Sequence, residues 1–199
     1  MNGKTQEREL KERIELIESM LAEGRMTTEH WGWVFVLWGV AYYVAIAWSQ
    51  WGHSALAWPV TMLAAFVLTR AWSQSNRGKG AATTMGRALG SIWISGGISM
   101  FLLFMSLGIT HKLTDVHVFV AALAAMLGMI NAASSMILKW KMQFACAVVW
   151  WAATLVGCFG SAGQAWVAFL VAIFLCQIVF GIYGTLSESR RQRLGESHA

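Results

Sequence analysis

Residues 116–138 read VHVFVAALAAMLGMINAASSMIL, an uninterrupted run without an Asp, Glu, Lys or Arg. A hydrocarbon core about 30 Å thick needs about 20 helical residues per crossing, and this run supplies them. Lys139 and Lys141 follow at once. Working outward, five more segments have the same character: Trp31 to Trp51, Ser54 to Trp72, Ala88 to Ile109, Lys141 to Gly160 and Gln164 to Leu186. The expected fold is all-α: a polytopic membrane helical bundle of six transmembrane helices in three hairpins, preceded by a cytosolic amphipathic helix. The expected organisation is residues 1–28 for that helix, 29–187 for the transmembrane domain and 188–199 for a basic cytosolic tail.

Composition agrees. Only 13% of the chain is charged against 57% hydrophobic, the mean hydropathy is +0.53, and there are 12 tryptophans. That apolar surplus exceeds what one soluble core of 199 residues can hide and suits a protein solvated by a lipid bilayer. The net charge of +5 does not point to nucleic acid, because the basic residues are dispersed between apolar segments instead of gathered on one face. Cys146, Cys158 and Cys176 all fall inside apolar stretches without C-x-x-C spacing, as small buried hydrophobes do. Residues 1–30 are too charged for a signal-peptide core, so the first span is expected to act as its own insertion signal.

Orientation follows from the connecting segments. Five Lys/Arg in the N-terminal region, Arg70, Arg77, Lys79 and Arg87, then Lys139 and Lys141, then Arg190, Arg191 and Arg193 all fall on one side of a six-span layout. Only Lys112 falls on the other, so the positive-inside rule puts both termini in the cytoplasm of a bacterial-type inner membrane. Trp31, Trp33, Trp72 and Trp140 sit at expected inner boundaries and Trp48, Trp51, Trp58 and Trp166 at outer ones, as interfacial belts require. Pro59 lies in the first turns of its helix, where a missing N–H costs little.

From Lys4 to Gly24, Leu10, Ile14, Ile17 and Leu21 alternate at four- and three-residue steps, one apolar stripe on an otherwise charged helix. Glu7 with Lys11 and Glu9 with Arg13 stand at i,i+4 with the acid first, and Gly24 is read as the C-terminal stop. Two heptads are too short for a stable isolated coiled coil, so the stripe needs a partner: its own bundle, a second copy, a cytosolic protein or lipid headgroups.

Candidate chemistry is sparse. No Asp, Glu, Lys or Arg lies in the central part of any expected span, which removes proton relays, voltage sensors and most ion-coupled carriers. Mid-span histidine for haem and lysine for a Schiff base are missing too, and no cofactor is expected. The polar side chains that do enter the membrane include Ser95, Asn131 and Gln177, with Tyr42 and Tyr43. The first three lie about seven to nine residues from expected inner ends, about 10 to 14 Å deep, and could share one layer. Small residues recur at four-residue spacing as Gly86 and Gly90, as Ser91, Ser95 and Ser99, as Ala124, Gly128 and Ala132, and as Ala153 and Gly157, a pattern for close helix contact. His53, His111, Asp115 and His117 fall on outer loops and would be a metal or pH-sensing cluster only if those loops converge. G-x-S-x-G, H-E-x-x-H and P-loop patterns are all missing, so an enzyme is not the favoured reading. Gly160-Ser161-Ala162-Gly163 lies in an outer turn with no histidine in a neighbouring span, and Arg77-Gly78-Lys79-Gly80 reads as a solvated loop.

The run from Leu16 to Gly39, a charged helix leading into Trp31-Gly32-Trp33-Val34-Phe35-Val36-Leu37-Trp38-Gly39, resembles a bacterial six-span integral membrane protein family with no assigned activity. The resemblance implies an amphipathic helix before a multi-span bundle and carries no catalytic residue. The three-hairpin layout is also similar to acid-resistance membrane proteins of the HdeD type, without their Trp-Pro-Gly pattern, since Trp58-Pro59 is followed by Val60. Two functions fit: a non-enzymatic permease or channel-like module for a neutral or apolar solute, or an accessory or sensor protein that recruits a cytosolic partner or oligomerises through its N-terminal helix.

Overall fold

The structure is a computed structural model that describes residues 2–52, 56–75, 84–110 and 115–196. Those residues form seven continuous helices and no strand: α1 (Asn2–His30), α2 (Gly32–Trp51), α3 (Ala57–Ser75), α4 (Thr84–Ile109), α5 (Val116–Leu138), α6 (Lys141–Phe159) and α7 (residues 162–196). α7 is helical throughout but changes pitch, with a π-helical turn, Phe174–Val179, between Ala162–Ile173 and Phe180–Glu196. Five of the seven, α2, α4, α5, α6 and α7, are long and apolar enough to cross a membrane. α3 has the length but not the apolarity, because Trp58, Thr61, Thr69, Arg70 and Trp72 dilute it. Large apolar side chains such as Ile94, Ile98, Leu102, Leu155 and Phe174 are exposed on these helices, as a lipid-embedded surface requires.

The helix expected to stop at Gly24 does not stop there. α1 runs on to His30 with Gly24 inside it, and no glycine among the described residues takes the positive φ that a glycine cap uses. An interior glycine costs about 1 kcal/mol of helix propensity, which the neighbouring good helix formers outweigh. Trp31 alone separates α1 from α2. The expected i,i+4 pairs are present, Lys11 with Glu7 at 3.6 Å and Arg13 with Glu9 at 3.0 Å, joined by Arg8 with Glu12 at 3.1 Å.

α5 and α6 form the most extensive contact among the described residues, an antiparallel hairpin closed by Lys139 in the left-handed region (φ 49) and Trp140. Gly128 admits the Trp151 indole and Gly157 lies over Ala121, so the small-residue spacing does bring these helices close. α7 packs on α6 and α2, α3 along α2, and α4 on α5. The core lies where α5, α6 and α7 meet: Trp150, Phe169, Leu127 and Ile173 are fully buried. By contrast, only Leu89 and Gly96 are buried among the described residues of α4, and only Ala57 and Ala65 on α3.

The α2–α7 contact is a backbone contact. A Cβ at Gly32 would stand 2.7 Å from the Gly181 carbonyl oxygen, and one at Gly181 would stand 2.7 Å from that of Gly32. Here glycine is required by the closeness of approach.

Candidate functional site

The buried polar side chains gather on α5, α6 and α7, in the half of the bundle that ends at Lys139. Among the described residues they are Asn131, Ser134 and Ser135 on α5, Gln143 on α6 and Gln177 on α7. Ser135 donates to the Ala132 carbonyl at 2.7 Å, and Asn131 Nδ2 donates to the Leu127 carbonyl at 2.8 Å. Asn131 Oδ1, Ser134 Oγ, both amide atoms of Gln143 and Gln177 Oε1 have no protein partner among the described residues. Each such buried group costs about 1–3 kcal/mol when left unpaired, so a cluster of them is not an incidental feature of a packed core.

Gln177 sits in the π turn, and the turn explains its burial. The buried positions of α7 step by four, Ala165, Phe169, Ile173, Gln177 and Gly181, with a second row at Ala172, Cys176 and Phe180. In a straight α-helix every four-residue step drifts about 40° past a full turn, so one such row would leave the core within a few turns. The wider π turn absorbs the drift and keeps both rows inward. Gly39 on α2 leaves room for it: a Cβ there would lie 2.8 Å from Gln177 Cβ and 2.7 Å from Ile178 Cδ1. Cys176 Sγ lies 3.5 Å from the Cys146 carbonyl oxygen, to which it donates, which sets the π turn level with the second turn of α6.

Of the residues expected in the polar layer, Asn131 and Gln177 are buried, and Tyr42 is buried against Trp38, Trp58 and Phe169. Tyr43 donates its hydroxyl to the Leu170 carbonyl at 2.8 Å, tying α2 to α7. Ser95 departs from the layer. It is exposed on α4, bonded to its own helix at the Ile92 carbonyl, because α4 turns its Gly96 side to Ile130 and leaves its serines outside. Gln143 and Ser134 were not expected. Gln143 lies in the first turn of its span, where an amide reads as interfacial, but it continues the Cys146, Trp150, Ala153 and Gly157 row, and that spacing was the available signal.

No family model matches this chain, and neither does a curated protein or a solved structure. The site must therefore be read from its own geometry.

At the opposite end, aromatic side chains form a cap in which Phe119 meets Trp58, Phe104, Trp166 and Phe169. Asp115 caps α5 by accepting the His117 N–H at 2.8 Å, and His117 Nδ1 lies 2.8 Å from the Gly157 carbonyl oxygen, fastening α5 to α6. His53 and His111 lie outside the described residues, and among the described residues no three potential ligands gather. Ser161 opens α7 with a reciprocal capping box with Gln164, which accounts for the Gly-Ser-Ala-Gly turn. The Arg77 to Gly80 loop also lies outside the described residues.

The apolar stripe of α1 is exposed. Leu10, Ile14 and Ile17 are 60%, 47% and 55% accessible, and all residues from 6 to 19 are exposed. Leu21 is helical, with its side chain outside the described set. α1 touches the bundle at α7, α4, α5 and α2, while Leu10, Ile14 and Ile17 stay exposed.

Proposed function

We propose that this chain is an accessory or sensor protein of a bacterial-type inner membrane, crossing it six times with both ends in the cytoplasm, whose working surface is the apolar stripe of α1. The observation that carries this reading is that stripe: three large aliphatic side chains held in register on a charged helix and left exposed by the described residues of their own bundle. A stripe that only anchored the helix to its bundle would be buried.

The sixth crossing, α3, is supported by its pairing. Trp72 packs on Trp33 with ring centroids 4.5 Å apart, Thr69 accepts from the Trp38 indole at 3.2 Å, and Trp58 meets Tyr42 at 6.1 Å, so α3 runs antiparallel to α2 from Trp33 to Tyr42. A helix paired along a spanning helix shares its depth. Its exposed middle is Leu63, Phe66 and Val67, and the hydroxyls of Thr61 and Thr69 are satisfied by the Ala57 and Ala65 carbonyls of its own helix. With α3 counted, fourteen basic residues lie on one side and Lys112 on the other.

The test is affinity capture from solubilised membranes with the full chain and with a Leu10→Gln/Ile14→Gln/Ile17→Gln variant. Capture of a specific partner, a second copy included, is expected for the first and lost in the second at unchanged thermal stability. If the variant holds every partner the full chain holds, α1 is not the working surface.

The permease reading keeps one observation in its favour, the unpaired amides of Asn131, Gln143 and Gln177. They are sealed at 0–3% accessibility, and the grooves along α6–α7 and α4–α5 are lined by other residues. Transport would require the π turn of α7 to move. Uptake of uncharged solutes into vesicles, lost on Gln177→Leu, is the result that would restore it.

A further inference from the structure

The stripe of α1 carries its own specification of a partner. Steps of four and three place Leu10, Ile14 and Ile17 at the d, a and d positions of a heptad. Arg13 then occupies g and Glu18 the next e, five residues on. Those positions face one another across a parallel two-helix pair, and their charges are opposite. Two copies side by side would therefore make the same attractive pair twice. Arg13 is held by Glu9 on its own helix at 3.0 Å, and its five-donor guanidinium can serve both carboxylates. Glu18 makes no ion pair among the described residues.

Direction follows from the membrane. Copies inserted with the same sidedness are related by an axis normal to the bilayer, so two α1 helices standing along that axis run parallel. In an antiparallel pair g positions face g positions, so Arg13 would meet Gln6, Arg13 or Met20 according to register, and not Glu18.

A stripe of so few layers is too short to hold two soluble chains, but confinement in one bilayer raises the effective concentration, and a second contact continues it. α1 meets the bundle chiefly at the C-terminal part of α7, and also at α4 and α5. Between α4 and α5 lies an open groove of about 250 Å³ whose walls include Ser95, Gly96, Ser99 and Met129. The hydroxyls of Ser91, Ser95 and Ser99 are bonded to carbonyls of α4 itself, so this face offers small groups with no unmet hydrogen bond to an approaching helix. Methionine on the facing wall adapts to what enters.

We propose that the partner of α1 is a second copy of this chain. The pair is a parallel homodimer, zipped through Leu10, Ile14 and Ile17 with reciprocal Arg13–Glu18 ion pairs and continued within the membrane at the α4–α5 groove. This rests on α1 being the working surface and narrows that surface to one occupant.

The experiment is oxidative cross-linking in native membranes of full-length Ile14→Cys in a Cys158→Ser background, because a parallel pair brings equivalent a positions face to face. A disulfide-linked dimer is expected. Arg13→Glu should lower its yield several-fold, Glu18→Arg added to it should restore the yield, and Ser95→Leu should lower it while leaving the thermal stability of the protomer unchanged. Restoration separates the ion pair from helix weakening, since Glu18→Arg does nothing for the Glu9 repulsion that Arg13→Glu introduces. A monomer at position 14, or a cross-link indifferent to Arg13→Glu, overturns the proposal. Capture of a different protein by α1 with no second copy also overturns it, while the proposed function stands.

Discussion

Gly32 and Gly97 differ only in what surrounds them. Gly32 is pressed against the Gly181 carbonyl at a distance no Cβ tolerates, and Gly97 has nothing within 4 Å. Gly32→Ala and Gly181→Ala should each lower the melting temperature in detergent and loosen the α2–α7 contact. Gly97→Ala should leave it unchanged or raise it, because alanine is favoured over glycine in a helix by up to about 1 kcal/mol. A second residue-level contrast lies in the core. Gln143 is fully buried with both amide atoms unpaired, so Gln143→Met, which keeps length and volume, removes a penalty of about 1–3 kcal/mol and should stabilise the protein. Denaturation in mixed micelles measures it, and a clear loss of stability would mean that the amide has a partner.

Among elements, α7 combines the clearest local signals with the least expected geometry. Its start is written in Ser161 and Gln164, whose reciprocal bonds satisfy the first orphan donors of the helix. Ser161→Ala should cost about 1 kcal/mol, read as faster amide exchange in the first turn with the rest of the bundle unaffected. Its π turn was not expected, since a four-residue row of apolar positions becomes a pitch change only when the neighbouring helices demand that both rows stay inward. The same reason governs α1: Gly24 looks like a stop in one dimension, and the helix runs through it to His30. α4 shows the opposite case. Its small-residue stripe reads as a packing face, and the protomer leaves it outside.

For the whole molecule, the decisive measurement is topology. If α3 crosses, reporters fused after Gly52 and after Thr110 share one side, and those after Ser75 and at the C-terminus share the other. If it does not, Gly52 and Ser75 report the same side, and the C-terminal reporter moves to the side opposite the N-terminus.

Apolar length alone determined that this protein is helical and membrane-embedded. The start of α2 and both boundaries of α5 and α6 were legible within about a residue, because lipid forces each crossing to satisfy its own backbone hydrogen bonds locally. The ion pairs of α1 were legible for the same reason, being fixed by spacing along one helix. Which polar residues are buried was not. Periodicity offers several candidate faces on a helix that is apolar all round, and only the packing partners choose among them. That choice sent Ser95 outward, drew Gln143 inward, and left Leu10, Ile14 and Ile17 uncovered.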